Sequence, residues 1–255
     1  MTASFVVLLA SPALGGGDAA LIAARRLIQD GFNRGDSPAI LKSRGQLLGM
    51  LAADPGSAEI HYGVALADWR AVPLLAGKNR DAAKRHCEEG LEHCDAALKA
   101  DPRMAEAMAL KAGLQGMSIQ FNGAAAIVLA PQMQANMARA LELAPDNPRI
   151  HLLDGINTFH TPAFFGGGAE RAMTKMRKAI DLFARGAGPD TTGTAWGHDD
   201  AYAWVGRAAA KLEDPAAARG HYLRALEINP DNGWVKHTLL PESERALAKK
   251  GDRDS

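Results

Sequence analysis

Apolar residues recur three and four positions apart along most of this chain, and alternation over strand-length runs is rare. Leu21, Ile22, Leu27 and Ile28, followed by Ile40, Leu41, Leu47, Leu48 and Leu51, predict a first helix pair over residues 17–53. Further on, an Ala-Leu pair closes one helix after another, with proline four residues past the leucine. These are Ala97-Leu98 with Pro102, Ala140-Leu141 with Pro145, and Ala225-Leu226 with Pro230. Proline ends a helix because it lacks the N–H that would continue the ladder. Pro55, Pro102, Pro145, Pro189 and Pro230 follow one another at intervals of 41 to 47 residues. A period of that size indicates stacked helix pairs.

The last unit shows the pattern most cleanly. Counting from Gly206, Ala218 lies 12 residues on, Tyr222 16, Ala225 19 and Pro230 24. This spacing resembles the tetratricopeptide repeat. The resemblance implies that Gly206 lets helix A meet helix B, that Ala218 and Ala225 allow close approach, and that Tyr222 fills the space between units. Gly155, Ala172, Met176 and Ala179 make an earlier unit. Gly113, Met133, Met137, Ala140 and Pro145 make another, and Gly63, Gly90, Cys94, Ala97 and Pro102 a third. The expected fold is an all-α, right-handed solenoid of about five such pairs, with enlarged loops inside the repeats. Its expected extent is residues 17–245, after a signal-like segment at 1–16 and before a polar disordered tail at 246–255.

The departures from the repeat carry the functional information. The joints between helix A and helix B are expected to be enlarged at 73–78, 122–131 and 161–168, and a further loop at 186–197 separates the last two units. Insertions at equivalent joints project from one edge of a solenoid. On the inner face, helix A is expected to present Ile60, Val64 and Ala67, then Leu110, Leu114 and Met117, then Leu152, Ile156 and Phe159; only the last unit is polar, with Asp200, Arg207 and Lys211. So apolar a groove needs an occupant. It could be the chain's own helices, a small apolar ligand, or another protein, including a second copy.

Composition narrows the partners. Lys and Arg number 29 and Asp and Glu 29, a net charge of zero. That balance argues against nucleic acid and against anionic lipid. At the N-terminus, Phe5–Ala10 is an apolar run followed by small residues, as in an export signal, and too short to span a bilayer. The expected location is periplasmic or otherwise exported, with the cytoplasm as the alternative. Cys87 and Cys94 are seven residues apart, about 10.5 Å along one helix, too far for a disulfide.

One segment stands out, His160-Thr161-Pro162-Ala163-Phe164-Phe165-Gly166-Gly167-Gly168. Its glycines free the backbone just before a helix, where N–H groups can bind an anion. Trp196-Gly197-His198-Asp199-Asp200 is the second, with Asp199 or Asp200 as a helix cap. Packing of Trp196 on Phe164 and Phe165 would make one cleft wall, with His160 and His198 as its polar groups. The expected ligand-binding set is therefore Ile156, Asn157, Phe159, His160, Phe164, Phe165, Gly166, Gly167, Trp196 and His198. His86-Cys87 and His93-Cys94 do not form a metal set, because helical ligands on one face sit three or four apart. No cofactor motif and no nucleophile–base arrangement is present.

A Pro-to-Gly joint of this kind after an export signal is similar to bacterial periplasmic tetratricopeptide proteins, among them the T component of tripartite ATP-independent periplasmic transporters. That resemblance implies a ligand-accessible cavity, homo-oligomers and an accessory role in solute transport. The expected function is non-enzymatic: an exported solenoid holding a small organic ligand, apolar or carboxylate, or a partner protein. The alternative is a pure assembly scaffold whose groove is filled by its own helices.

Overall fold

The computed structural model describes residues 16–186 and 196–254. The signal-like segment up to residue 15 and most of the 186–197 loop lie outside the described residues. Ten helices form five successive antiparallel pairs: α1 (Gly16–Asn33) with α2 (Ser37–Leu51), α3 (Ala58–Ala76) with α4 (Arg80–Ala100), α5 (Ala105–Phe121) with α6 (Ala126–Leu143), α7 (Pro148–His160) with α8 (Ala169–Ala184), and α9 (His198–Lys211) with α10 (Pro215–Ile228). A π-helical turn at Val235–Leu239 leads into α11 (Leu240–Asp254). Among the described residues there is no strand, and no helix is long and apolar enough to cross a membrane. The fold is an all-α solenoid of tetratricopeptide type.

Local chemistry sets the helix starts. Asp36, Ser57, Asn79, Asn147 and Asp214 each accept a backbone N–H of the first turn. Pro38, Pro148 and Pro215 occupy the first helical turn, where a missing N–H costs nothing. Small residues then let helices touch. A methyl group on Gly206 would lie 2.4 Å from the Tyr222 ring, and one on Gly155 2.5 Å from Met176. Ala218, Tyr222 and Ala225 are buried together in the core of the last pair.

Three features differ from expectation. The joints at 73–78 and 122–131 are shorter than expected, because α3 runs through Pro73 and α6 through Pro131. The insertions there are taken up mainly as extra helix. Residues 246–254 belong to α11 rather than to a free tail; its first turn carries Glu242, the sign a helix dipole favours there. Finally, Leu27 and Leu48, expected in the core, are 45% and 37% exposed.

Candidate binding surfaces

The expected apolar groove does not exist as an open surface. Ile60, Val64, Ala67, Leu110, Leu114, Leu152, Ile156 and Phe159 are all buried among helices of this chain, and Met117 is half-buried against the same core. A charged clasp also crosses the A-helix side, from the second helix pair to the fifth. Arg70 of α3 donates from Nη2 to Asp200 Oδ2 of α9 at 2.5 Å, with both residues buried. The Arg70 guanidinium lies 4.1 Å from the Phe32 ring centre, 4.6 Å from Trp69 and 5.0 Å from Trp196. Asp199 and Asp200 do not cap α9, whose N-cap is Gly197. Asp199 instead accepts from Asn229 at 2.7 Å and Asn232 at 2.9 Å. Burial, then the neighbouring Asp200 charge, raises its pKa to about 6.

Trp196 belongs to that clasp and not to a cleft wall. It is 1% exposed, packs on Trp69 at 5.8 Å, and its carbonyl accepts from Arg149 Nε at 3.3 Å. Phe164 and Phe165, its expected partners, are 92% and 68% exposed and pack on each other. Burying Trp196 against the rings and guanidinium groups around Trp69 removes more apolar area from water than a surface stack on two joint residues would. His198 stacks on Phe183 at 5.2 Å, away from His160, and burial lowers its pKa, with Arg224 adding to the shift.

The 161–168 joint is a shaped connector. Gly166 and Gly168 have φ of 84° and 107°, and a methyl group on Gly167 would sit 2.0 Å from the Thr161 carbonyl oxygen. Three glycines are therefore needed for the path of the backbone. The N–H groups of Gly166, Gly167 and Gly168 donate to Ala163, Pro162 and Thr158 carbonyls at 3.0, 3.1 and 3.0 Å. The expected anion nest is thus already occupied by the chain's own carbonyls. Beside the joint, a cavity of about 120 Å³ is lined by residues including Met133, Met137, Asn157, Phe165, Gly166, Gly167 and the Lys175–Asp154 pair. Asn157 Nδ2 is buried with no hydrogen-bond partner.

In the first turn of α6, Ile127 and Val128 are 84% and 60% exposed. Like Phe164 and Phe165, they stand at the junction between an A helix and its B helix, and such junctions of successive repeats lie at one edge of a solenoid.

Phe159 and His160 stand elsewhere, on the A-helix side of the last units. Phe159, His160 and Trp204 pack edge to face at 5.3–5.6 Å, and Trp204 meets Trp234 at 5.5 Å. Phe159 itself is buried, whereas His160 keeps an exposed edge. Partial burial, and then the positive charges of Arg207 and Lys211, lower the pKa of His160 to about 4. Trp204 and Trp234 were not among the expected site residues; the spacing of Trp204, Arg207 and Lys211 along one helical stripe is the signal that could have found Trp204.

The histidine–cysteine pairs resolve into packing. Cys87 and Cys94 are buried and free, and burial raises both thiol pKa values, that of Cys87 to about 12. His86 Nδ1 meets Asp68 at 2.8 Å, and Arg44 donates at 2.6 Å to both Asp68 and Glu89. Asp68, His86 and Glu89 lie close enough to hold an ion, but the Arg44 guanidinium already supplies the cation. His61 Nε2 donates to the Pro55 carbonyl, which can only accept, and His61 Nδ1 meets His93 Nδ1 at 2.9 Å, one ring donating and the other accepting.

No family model and no curated protein matches the chain. Solved structures do. The HusA haemophore from Porphyromonas gingivalis is similar, with 21% identity, covering 78% of this chain and 96% of that one, at a TM-score of 0.62. TTC0263, a thermophilic tetratricopeptide protein of Thermus thermophilus, shares 14% identity over 89% of this chain and 99% of that one, at a TM-score of 0.58. These likenesses carry the fold.

Proposed function

We propose that this chain is a non-enzymatic scaffold that binds a partner protein along the edge formed by its A–B joints. The observation that carries this reading is the exposure of Phe164 and Phe165 on one A–B joint and of Ile127 and Val128 in the first turn of α6, just after the preceding one. Monomeric surfaces rarely leave large apolar side chains clustered in water, and aromatic anchors dominate the energetics of protein interfaces. The three glycines hold Phe164 and Phe165 outward on a fixed backbone, which limits the entropy lost on binding. The test places a photo-crosslinking amino acid at position 164 in cells, with position 88 on the outer face of α4 as control. A discrete adduct at 164 and none at 88 supports the reading, and an adduct of twice the chain's mass identifies the partner as a second copy. Equal capture at both positions, or none, refutes it.

A second reading, in which the chain holds a small organic ligand, is favoured by the unpartnered Asn157 Nδ2 beside the 120 Å³ cavity. That volume is below the usual range for ligand sites, about 300–1,000 Å³, and admits only a fragment carrying a hydrogen-bond acceptor. A thermal-shift screen of such fragments, with Asn157→Leu as control, separates the readings.

A further inference from the structure

The Arg207 guanidinium lies against three aromatic rings: 4.6 Å from the centre of Trp204, 5.2 Å from Phe159 and 5.4 Å from Trp234. Lys211, one turn on, holds its Nζ 4.7 Å from the Phe159 ring. Among the described residues, five arginines are withdrawn from full exposure: Arg25, Arg44, Arg70, Arg149 and Arg207. Four of them reach a carboxylate: Arg25 at Glu59, Arg44 at Asp68 and Glu89, Arg70 at Asp200, and Arg149 at Glu106. Arg207 and Lys211 have no carboxylate within ion-pair distance among the described residues; Glu242 acts on Arg207 only at longer range. A cation drawn from water normally takes an anionic partner, and stacking supplies only part of what hydration gave. Two cations, two half-buried indole rings and a His160 with one exposed edge thus share one stripe of the A-helix side.

We propose that this stripe is a binding site for an aromatic carboxylic acid, a molecule carrying both a carboxylate and an aromatic ring. The carboxylate is accepted by the Arg207 fork, whose planar donors match its two oxygens, and by Lys211. The ligand's ring lies against the indole of Trp204 or Trp234. The carboxylate and ring need only share one molecule, so they come either from a small free aromatic acid or from the C-terminal aromatic residue of a polypeptide, whose carboxylate sits on the α-carbon beside the side-chain ring. This site lies on the A-helix side, so it is independent of the joint edge and goes beyond the scaffold reading.

The test titrates the full chain at pH 7 with benzoate, N-acetylphenylalanine and the neutral amide of each, by calorimetry and tryptophan fluorescence. Saturable binding of the acids, at least tenfold tighter than their amides, is expected. So is a tenfold or greater loss with Arg207→Gln, and weakening as salt rises. Arg207→Lys keeps the charge and loses less. Tighter binding of N-acetylphenylalanine than of benzoate identifies a polypeptide terminus, and the reverse order a small acid. Equal binding of acids and amides, no binding of either acid, or full affinity in a folded Arg207→Gln overturns the proposal. If Arg207→Gln fails to fold, the acid-to-amide comparison on the unaltered chain and Lys211→Gln decide the matter.

Discussion

Arg70 and Asp200 meet at 2.5 Å across 130 residues of sequence, and both are buried. The pair joins α3 to α9, so it ties the second helix pair to the fifth. Removing one partner strands the other charge away from water. Arg70→Ala and Asp200→Ala should each lose about 3–5 kcal/mol of stability in urea unfolding. The double replacement Arg70→Met with Asp200→Leu should be more stable than either single variant, because no buried charge remains. A double variant as unstable as the sum of the singles would contradict this account of the clasp.

Gly206 should tolerate nothing larger. Alanine there puts a methyl group 2.4 Å from the Tyr222 ring, which is itself buried. The expected loss is about 1–3 kcal/mol. Gly220, exposed on α10 with open space around it, should gain up to about 1 kcal/mol on the same change. Thermal melts of the two variants should shift in opposite directions.

Asp199 should impose a pH dependence of unusual sign. Its pKa rises from 3.8 to about 6 on folding, chiefly through burial and then through Asp200. The folded state therefore binds the proton more tightly than the unfolded state. Its contribution is most favourable below pH 3.8 and is lost as pH climbs to about 6, a swing of roughly 3 kcal/mol. Asp199→Asn should remove that component, so the stability difference between variant and parent should grow in the variant's favour from pH 4 to pH 6. A constant difference over that window would show that Asp199 does not titrate as described.

Phe164 and Phe165 make few contacts within the chain beyond each other. Serine at both positions should change stability by no more than about 0.5 kcal/mol per site. A large drop in melting temperature would assign the pair to the core instead of to a partner.

The repeat was legible because it is local. Gly206, Ala218, Tyr222 and Ala225 carry their roles in their spacing, and the structure packs them accordingly, with Pro230 just past the end of α10. The oddity of the 161–168 joint was equally visible, since paired phenylalanines before three glycines have no place in a plain turn. The clasp was not visible: nothing within a helical window connects Arg70 to Asp200. Trp196 was misplaced for the same reason, because its neighbours Trp69, Arg70 and Arg149 come from two earlier repeats. The supposed apolar groove failed because an A-helix stripe packs on its neighbouring helices before it can face solvent. Pro73 and Pro131 misled because each lies inside a helix, on its exposed side, where proline costs a backbone bond without ending the helix.

The central claim is that the joint edge is where this scaffold grips a partner. The most direct test takes the protein crosslinked at position 164 and measures its equilibrium affinity for the parent chain and for the Phe164→Ser, Phe165→Ser variant. A loss of tenfold or more, with the melting temperature unchanged, is the predicted result. Equal affinity for the two proteins would contradict the claim.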